Sequence, residues 1–169
     1  AYDSKVESFK PELQLYNDEN RKIALGWVEG LYPGGSTNID GALKSALAQL
    51  EDDSRPNYVL FLTDGLPTAG ETKEQQIVLN VQERNKVRAR IFNFGVGYDL
   101  NSRLLDKLAR AGFGRTEFVR PNEDIENAVS QLYNRIGAPA MTDVAITVDV
   151  DGRKVEQGPP VNRVYPREA

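Results

Sequence analysis

The sequence predicts an α/β fold, a doubly wound and mostly parallel sheet with helices on both faces. Three observations lead there. The run Tyr58-Val59-Leu60-Phe61-Leu62 is apolar without alternation, the pattern of a strand buried on both faces in the middle of a parallel sheet. Segments with apolar residues at helical spacing alternate with such runs, which is the order of βαβ units. The runs stop at glycine-bearing turns, Thr63-Asp64-Gly65 and Gly95-Val96-Gly97, and the carboxyl ends of strands are where open α/β sheets gather ligand sites.

Taken in chain order, positions 6–16 alternate weakly, with Val6, Leu13 and Leu15 among polar residues and Pro11 interrupting; this predicts short edge strands. Asn17 and Asp18 can cap a first helix carrying Ile23, Trp27 and Leu31 and ending near Gly30. A loop of Tyr32-Pro33-Gly34-Gly35-Ser36-Thr37 leads into a second helix with Leu43, Ala46, Leu47 and Leu50 on one stripe. The buried strand at 57–62 follows. Ile77, Val78 and Val81 predict a helix over 73–85, and Ile91, Phe92 and Phe94 a strand over 90–96. Leu104, Leu105 and Leu108 form the inner face of a helix over 101–111 that Gly112 stops. A short strand is expected over 115–119. Asn122 is expected to cap a last helix bearing Ile125, Val129, Leu132, Tyr133 and Ile136, closed by Gly137. Beyond it Val144, Ile146, Val148 and Val150 alternate strictly and Asp151-Gly152 predicts a hairpin turn. These readings divide the chain into a domain over 1–138 and a C-terminal β segment over 139–169 leading to a neighbouring element.

A chain of 169 residues, 40% hydrophobic and 27% charged, has the composition of an ordinary globular domain with a core of its own. Lys and Arg number 21 against 25 Asp and Glu, a net charge of −4, so the basic face that phosphate binding needs is missing and nucleic acid is not an expected partner. The chain has neither Cys nor His. That excludes thiol nucleophiles, Ser-His-Asp triads, histidine bases and Cys or His zinc sites built from this chain alone. No apolar run approaches the roughly 20 residues that span a bilayer, and no signal-peptide pattern is present; a targeting segment would lie upstream.

Two positions carry the oxygen chemistry that remains. Asp64 ends a buried strand and is followed by Gly65, which lets the backbone turn sharply; a turn aspartate is the plainer reading of such a pair taken alone. Thr37 ends a glycine-rich loop before a helix, where a hydroxyl can cap the helix, bind an anion or ligate a hard cation. No Lys follows these glycines as a phosphate loop requires, and Leu100 stands where GxGxxG needs its third glycine after Gly95 and Gly97. Close packing is the better account of Gly95 and Gly97. Arg84, Lys86 and Arg88 read as a solvated face.

Together, Gly34-Gly35-Ser36-Thr37-Asn38-Ile39-Asp40-Gly41-Ala42-Leu43, Val59-Leu60-Phe61-Leu62-Thr63-Asp64-Gly65-Leu66-Pro67-Thr68 and Phe94-Gly95-Val96-Gly97 resemble the von Willebrand factor A fold. Their wording most resembles inter-alpha-trypsin inhibitor heavy chains and bacterial relatives, as does Met141-Thr142-Asp143-Val144 after the domain. The resemblance implies a metal-ion-dependent adhesion site built from Asp-x-Ser-x-Ser after the first strand, a Thr from a second loop, matched by Thr37, and an Asp from a third, matched by Asp64. It implies magnesium, or manganese or calcium, and a protein ligand offering an acidic residue at the open coordination position.

No Asp-x-Ser-x-Ser occurs in the chain; Asp3-Ser4-Lys5-Val6-Glu7 does not satisfy it. By analogy the first central strand, its metal loop and the first helix are missing, and an upstream segment or a second chain is expected to supply them. Thr37 and Asp64 alone are expected to hold metal weakly or not at all. The expected function is a noncatalytic, cation-dependent protein-binding module of adhesion type, placed outside the cell, in the periplasm or at the cell surface. A structural domain with an incomplete, vestigial site is the alternative. A magnesium-dependent aspartate phosphatase is disfavoured, because it needs Asp-x-Asp and Leu62 stands two positions before Asp64.

Overall fold

A computed structural model describes residues 1–32, 34–136, 141–144, 147–150, 153–156 and 161–164. The chain forms two compact units, residues 1–123 and 124–169.

The first unit is a parallel α/β layer structure. After an extended N-terminal segment come helices α1 (Asp18–Glu29) and α2 (Ile39–Ala48), strand β1 (Tyr58–Thr63), helix α3 (Glu74–Arg84), strand β2 (Arg90–Val96), helix α4 (Ser102–Ala111) and strand β3 (Thr116–Val119). The sheet runs β1-β2-β3 with both pairings parallel. Val59 lies opposite Ile91 and Phe61 opposite Asn93. That face packs against Leu43 and Leu47 of α2, Ile77 and Val81 of α3, and Leu104, Leu105 and Leu108 of α4, forming one buried cluster. The Asn93 side-chain amide donates to the carbonyl of Leu105 at 2.7 Å, fixing α4 on this side. Removing such side chains from water is the main stabilising term, roughly 1.5–3 kcal/mol for each fully buried Leu, Ile, Val or Phe. Gly95 packs as its sequence context suggests: a Cβ there would come within 3.1 Å of Leu100, Leu105 and Phe118.

The helices begin and end where short polar side chains and glycines permit. Asn17 accepts from the Asn20 N–H at 2.8 Å, Asn38 from Gly41 at 2.9 Å and Asn101 from Leu104 at 3.0 Å, each satisfying an N–H that a helix start leaves unpaired. Gly30 and Gly112 close α1 and α4. The apolar residues of α1 find little cover, however; Ile23 and Val28 stay half-exposed, and the helix rests on its cap, its first-turn acids and a ring contact between Phe9 and Trp27 at 5.7 Å.

Positions 6–16 do not form the expected strands. One isolated bridge joins Tyr2 to Val6, and Leu13 and Leu15 point to solvent. Alternation makes a strand only where a neighbouring strand accepts its hydrogen bonds and a surface accepts its apolar side, and among the described residues this segment meets neither.

The second unit opens on helix α5 (Ile125–Ile136). Its cap is Asp124, whose carboxylate accepts from Glu126 at 2.9 Å and Asn127 at 3.2 Å, and not the expected Asn122. A cap must stand two and three residues before the amides it serves, and Asn122 is too far upstream of Ile125. Among the described residues that follow are the strands β4 (Met141–Val144), β5 (Thr147–Val150), β6 (Arg153–Glu156) and β7 (Val161–Val164). β5 pairs antiparallel with β6, Val150 opposite Arg153, and β4 pairs antiparallel with β7. Of the alternating residues, Val144 lies in β4 and Val148 and Val150 lie in β5. Gly137, Ile146, Asp151-Gly152 and the expected boundary at 138/139 lie outside the described residues. No described helix is long and apolar enough to cross a membrane.

Candidate metal centre

The site is assembled from two loops that lock each other. The first, after α1, turns at Gly35, whose φ of +81° suits glycine, and reaches Thr37 and Asn38. The second leaves β1 through Asp64 and Gly65. Thr37 is fastened to that second loop on both sides of its peptide. Its N–H donates to the Thr68 hydroxyl at 2.8 Å, and its carbonyl accepts from the N–H groups of Thr68 at 3.0 Å and Ala69 at 3.2 Å. The Thr37 hydroxyl oxygen consequently stands 3.4 Å from the point where a Cβ on Gly65 would project. Glycine at 65 keeps the space beside Asp64 open.

Asn38 is the next fastening. Besides capping α2, its N–H donates to the carbonyl of Asp3 at 2.8 Å, and its side chain reaches the Ser4 carbonyl at 3.4 Å. Gly70, at φ +66°, passes so close to the Asn38 amide that a side chain there would overlap it. One asparagine thereby ties the N-terminal segment, the start of α2 and the loop after β1 into one corner.

Thr37 and Asp64 line a common groove of about 790 Å³, together with Tyr2, Asp3, Ser36 and Thr63. Asp64 is exposed and Thr37 half-buried. The phenol of Tyr2 donates to the Leu62 carbonyl at 3.0 Å. Burial pushes its pKa up to about 12, with the Asp64 charge pushing the same way and the Thr63 hydroxyl opposing; the phenol therefore senses the Asp64 carboxylate. Asp3, at the groove's margin, is held below the usual carboxylate range, chiefly by the Lys5 N–H and also by the Ser4 hydroxyl.

The donor chemistry suits a hard cation: a hydroxyl and a carboxylate, with neither sulfur nor imidazole in the pair. Magnesium takes about six oxygens and retains water among them. Among the described residues no group of three or more His, Cys, Asp or Glu side chains is placed to hold a metal ion. The sequence pointed to both residues. It did not point to Thr68, whose hydroxyl positions Thr37, nor to Tyr2 and Asp3, which only the folded corner brings to the groove. Arg84, Lys86 and Arg88 lie at the surface, in line with a solvated face.

Residues 1–118 match the family described as von Willebrand factor type A domain. The chain is 30% identical to inter-alpha-trypsin inhibitor heavy chain H1 of Mesocricetus auratus over 160 residues, covering 89% of this chain and 17% of that protein. It is 27% identical to heavy chain H4 of Homo sapiens over 165 residues (93% and 18%). Heavy chain H2 of Homo sapiens is 28% identical over 126 residues (70% and 13%). The chain thus spans less than a fifth of the length of these curated relatives.

Proposed function

Because the chain belongs to the von Willebrand factor type A domain family, in the company of the inter-alpha-trypsin inhibitor heavy chains, we propose that it is a noncatalytic module that captures a protein partner through a divalent cation. The observation that carries this reading is the Thr37 hydroxyl held close to Gly65 by the hydrogen bonds of Thr68 and Ala69, in a groove that Asp64 also lines. Thr37 would offer a neutral oxygen and Asp64 a negative one to magnesium, manganese or calcium. The ion would supply a Lewis-acidic position open to a partner's carboxylate. Asp-x-Ser-x-Ser from an upstream segment or a second chain would complete the shell. A place outside the cell, in the periplasm or on the cell surface belongs to the same proposal.

Calorimetric titration with magnesium of the chain alone, and of the chain joined to a segment bearing Asp-x-Ser-x-Ser, tests the reading. Weak or no uptake by the first and clear uptake by the second are expected, with the second lost on Asp64→Asn. Uptake indifferent to Asp64→Asn would overturn the proposal and favour the alternative, a structural domain with a vestigial site. That alternative rests on the small donor set among the described residues; capture of an acidic partner that survives chelation would also point to it.

A further inference from the structure

Two residues other than glycine hold a positive φ among the described residues, Arg88 at +53° and Phe113 at +54°. They touch: the Arg88 guanidinium lies over the Phe113 ring, 5.3 Å from its centroid. Both stand beside the start of β2, at the end of the sheet opposite Asp64. Phe113 occupies the place after a helix where glycine is preferred. Gly112 closes α4, the Phe113 N–H donates to the Arg110 carbonyl at 3.4 Å, and the Gly114 N–H donates to the Ala109 carbonyl at 2.9 Å, the pair of bonds made by a helix end that turns through one left-handed residue. The glycines on either side answer to packing, since a Cβ at 112 or 114 would overlap Ile91. The one position whose backbone angle suits glycine thus carries a bulky ring, against the steric preference of an L residue, and the ring is 54% exposed. On the other loop Asn85 locks the turn that presents Arg88: its side-chain amide donates to the Ala89 carbonyl at 2.8 Å and its side-chain oxygen accepts from the Ala89 N–H at 2.6 Å. Arg90 joins the two loops, its Nε donating to the Phe113 carbonyl at 2.9 Å.

A strained backbone that neither buries its side chain nor makes a turn closed to glycine marks a functional position, and an arginine with an aromatic ring is the pairing that anchors protein interfaces. The ground around the ring is basic. No acidic residue occurs in 84–98 or in 107–116, and the exposed Arg84, Lys86 and Arg110 form no ion pair among the described residues. Glu51, Asp52 and Asp53 precede β1 at the same end of the sheet, so the basic character is local to the two loops. We propose that Arg88 and Phe113 are the centre of a docking surface for an acidic segment of a partner protein, which lays an aromatic or aliphatic side chain on Phe113 and its carboxylates among the surrounding cations. This surface lies at the far end of the sheet from the proposed metal centre and stands whether or not that centre takes a cation. The ring selects such a segment over a bare polyanion, because an exposed phenyl group gains only from an apolar counterpart. The net charge of −4 acts the same way, repelling a long polyanion that the two loops alone attract.

The test titrates the chain of residues 1–169 with synthetic peptides while nuclear magnetic resonance follows the amides of residues 86–90 and 112–115. The first peptide alternates Glu with Trp and Leu, the second has Ala in place of Trp and Leu, and the third has Lys in place of Glu; inorganic polyphosphate is the fourth probe. The first peptide should shift these amides and bind about two- to tenfold more tightly than the second, the worth of one ring contact, and the third should leave them in place. Phe113→Gly relieves the backbone and keeps the turn. Its thermal midpoint should therefore match or exceed that of the native chain, while the preference for the first peptide over the second disappears. Equal binding of the first two peptides would overturn the proposal, as would shifts that begin elsewhere in the chain. Polyphosphate binding more tightly than the first peptide would overturn it in favour of a polyanion surface. A Phe113→Gly chain that melts lower and keeps the peptide preference would leave the ring a role in the fold alone and would overturn it too.

Discussion

The backbone N–H of Thr37 donates to the hydroxyl of Thr68, 31 positions later, at 2.8 Å. This bond, with the two that Thr37 accepts in return, makes one rigid corner from two loops. The final Thr of Thr-Asp-Gly-x-Pro-Thr thereby has a physical role, because a hydroxyl after β1 holds in place the hydroxyl before α2. Thr68→Val keeps the shape and removes the acceptor. A loss of about 0.5–1.5 kcal/mol is expected, read from the denaturant midpoint, and Thr68→Ser should restore most of it.

The Asn38 corner should be less tolerant. Asn38→Ala removes the α2 cap, a cost of about 1 kcal/mol, together with the link to the N-terminal segment. Gly70→Ala places a methyl on the Asn38 amide at a backbone angle of φ +66°, and is expected to cost more than the roughly 1 kcal/mol of such a backbone penalty alone. Thermal unfolding of the two variants and their double mutant checks this. Because both act on one contact, the double mutant should lose less than the sum of the singles.

Glu74 on α3 binds Arg103 at 2.8 Å and Lys107 at 3.2 Å on α4 and accepts from Asn101 at 3.0 Å. These bonds, Arg103 first and Asn101 next, lower its pKa from 4.5 to about 2. A carboxyl whose folded pKa lies below its unfolded value stabilises the fold above the unfolded value and loses that effect as pH falls toward the folded one. Stability is therefore expected to drop between pH about 4.5 and about 2, and Glu74→Gln should flatten that part of a stability profile. High salt should shrink the difference, since Arg103 and Lys107 are well exposed.

At the alkaline end Tyr2 acts in the opposite direction. Its pKa is raised from 10.0 to about 12 by burial first, with Asp64 adding, so its contribution is intact below pH 10 and fades as pH rises toward 12. The absorbance titration of the native chain minus that of Tyr2→Phe isolates the phenol from the other tyrosines. Asp64→Asn should shift this difference curve to lower pH by a minority of the total displacement, because burial is the leading cause. An unmoved curve would separate Tyr2 from Asp64.

Much of this architecture was legible in the residues. The helices over Ile39–Ala48 and Ser102–Ala111 and the strand over Arg90–Val96 announce themselves through unbroken apolar spacing, with Asn38, Asn101 and Gly112 at their ends. Thr37 and Asp64 stood out as candidates because glycines lie close to each in sequence, and both line one groove. What local pattern could not reveal depends on partners distant in sequence. Leu13 and Leu15 alternate like strand residues but meet no pairing strand among the described residues, and Asp124 takes the cap that Asn122 suggested because the helix starts at Ile125. Thr68 and Tyr2 become part of the corner only when β1 brings them there. β1 itself reads as an interior strand, and its place at the edge of the described sheet is what makes Leu60 and Leu62 conspicuous.

The central claim is that Thr37 and Asp64 share one cation. Manganese titration followed by nuclear magnetic resonance tests it most directly, since a paramagnetic ion broadens nearby amides even at low occupancy. The amides of Thr37, Asp64 and Gly65 should fade first and together, and Asp64→Asn should abolish the effect. Broadening that starts elsewhere, or that reaches Asp64 and leaves Thr37 untouched, would contradict the account.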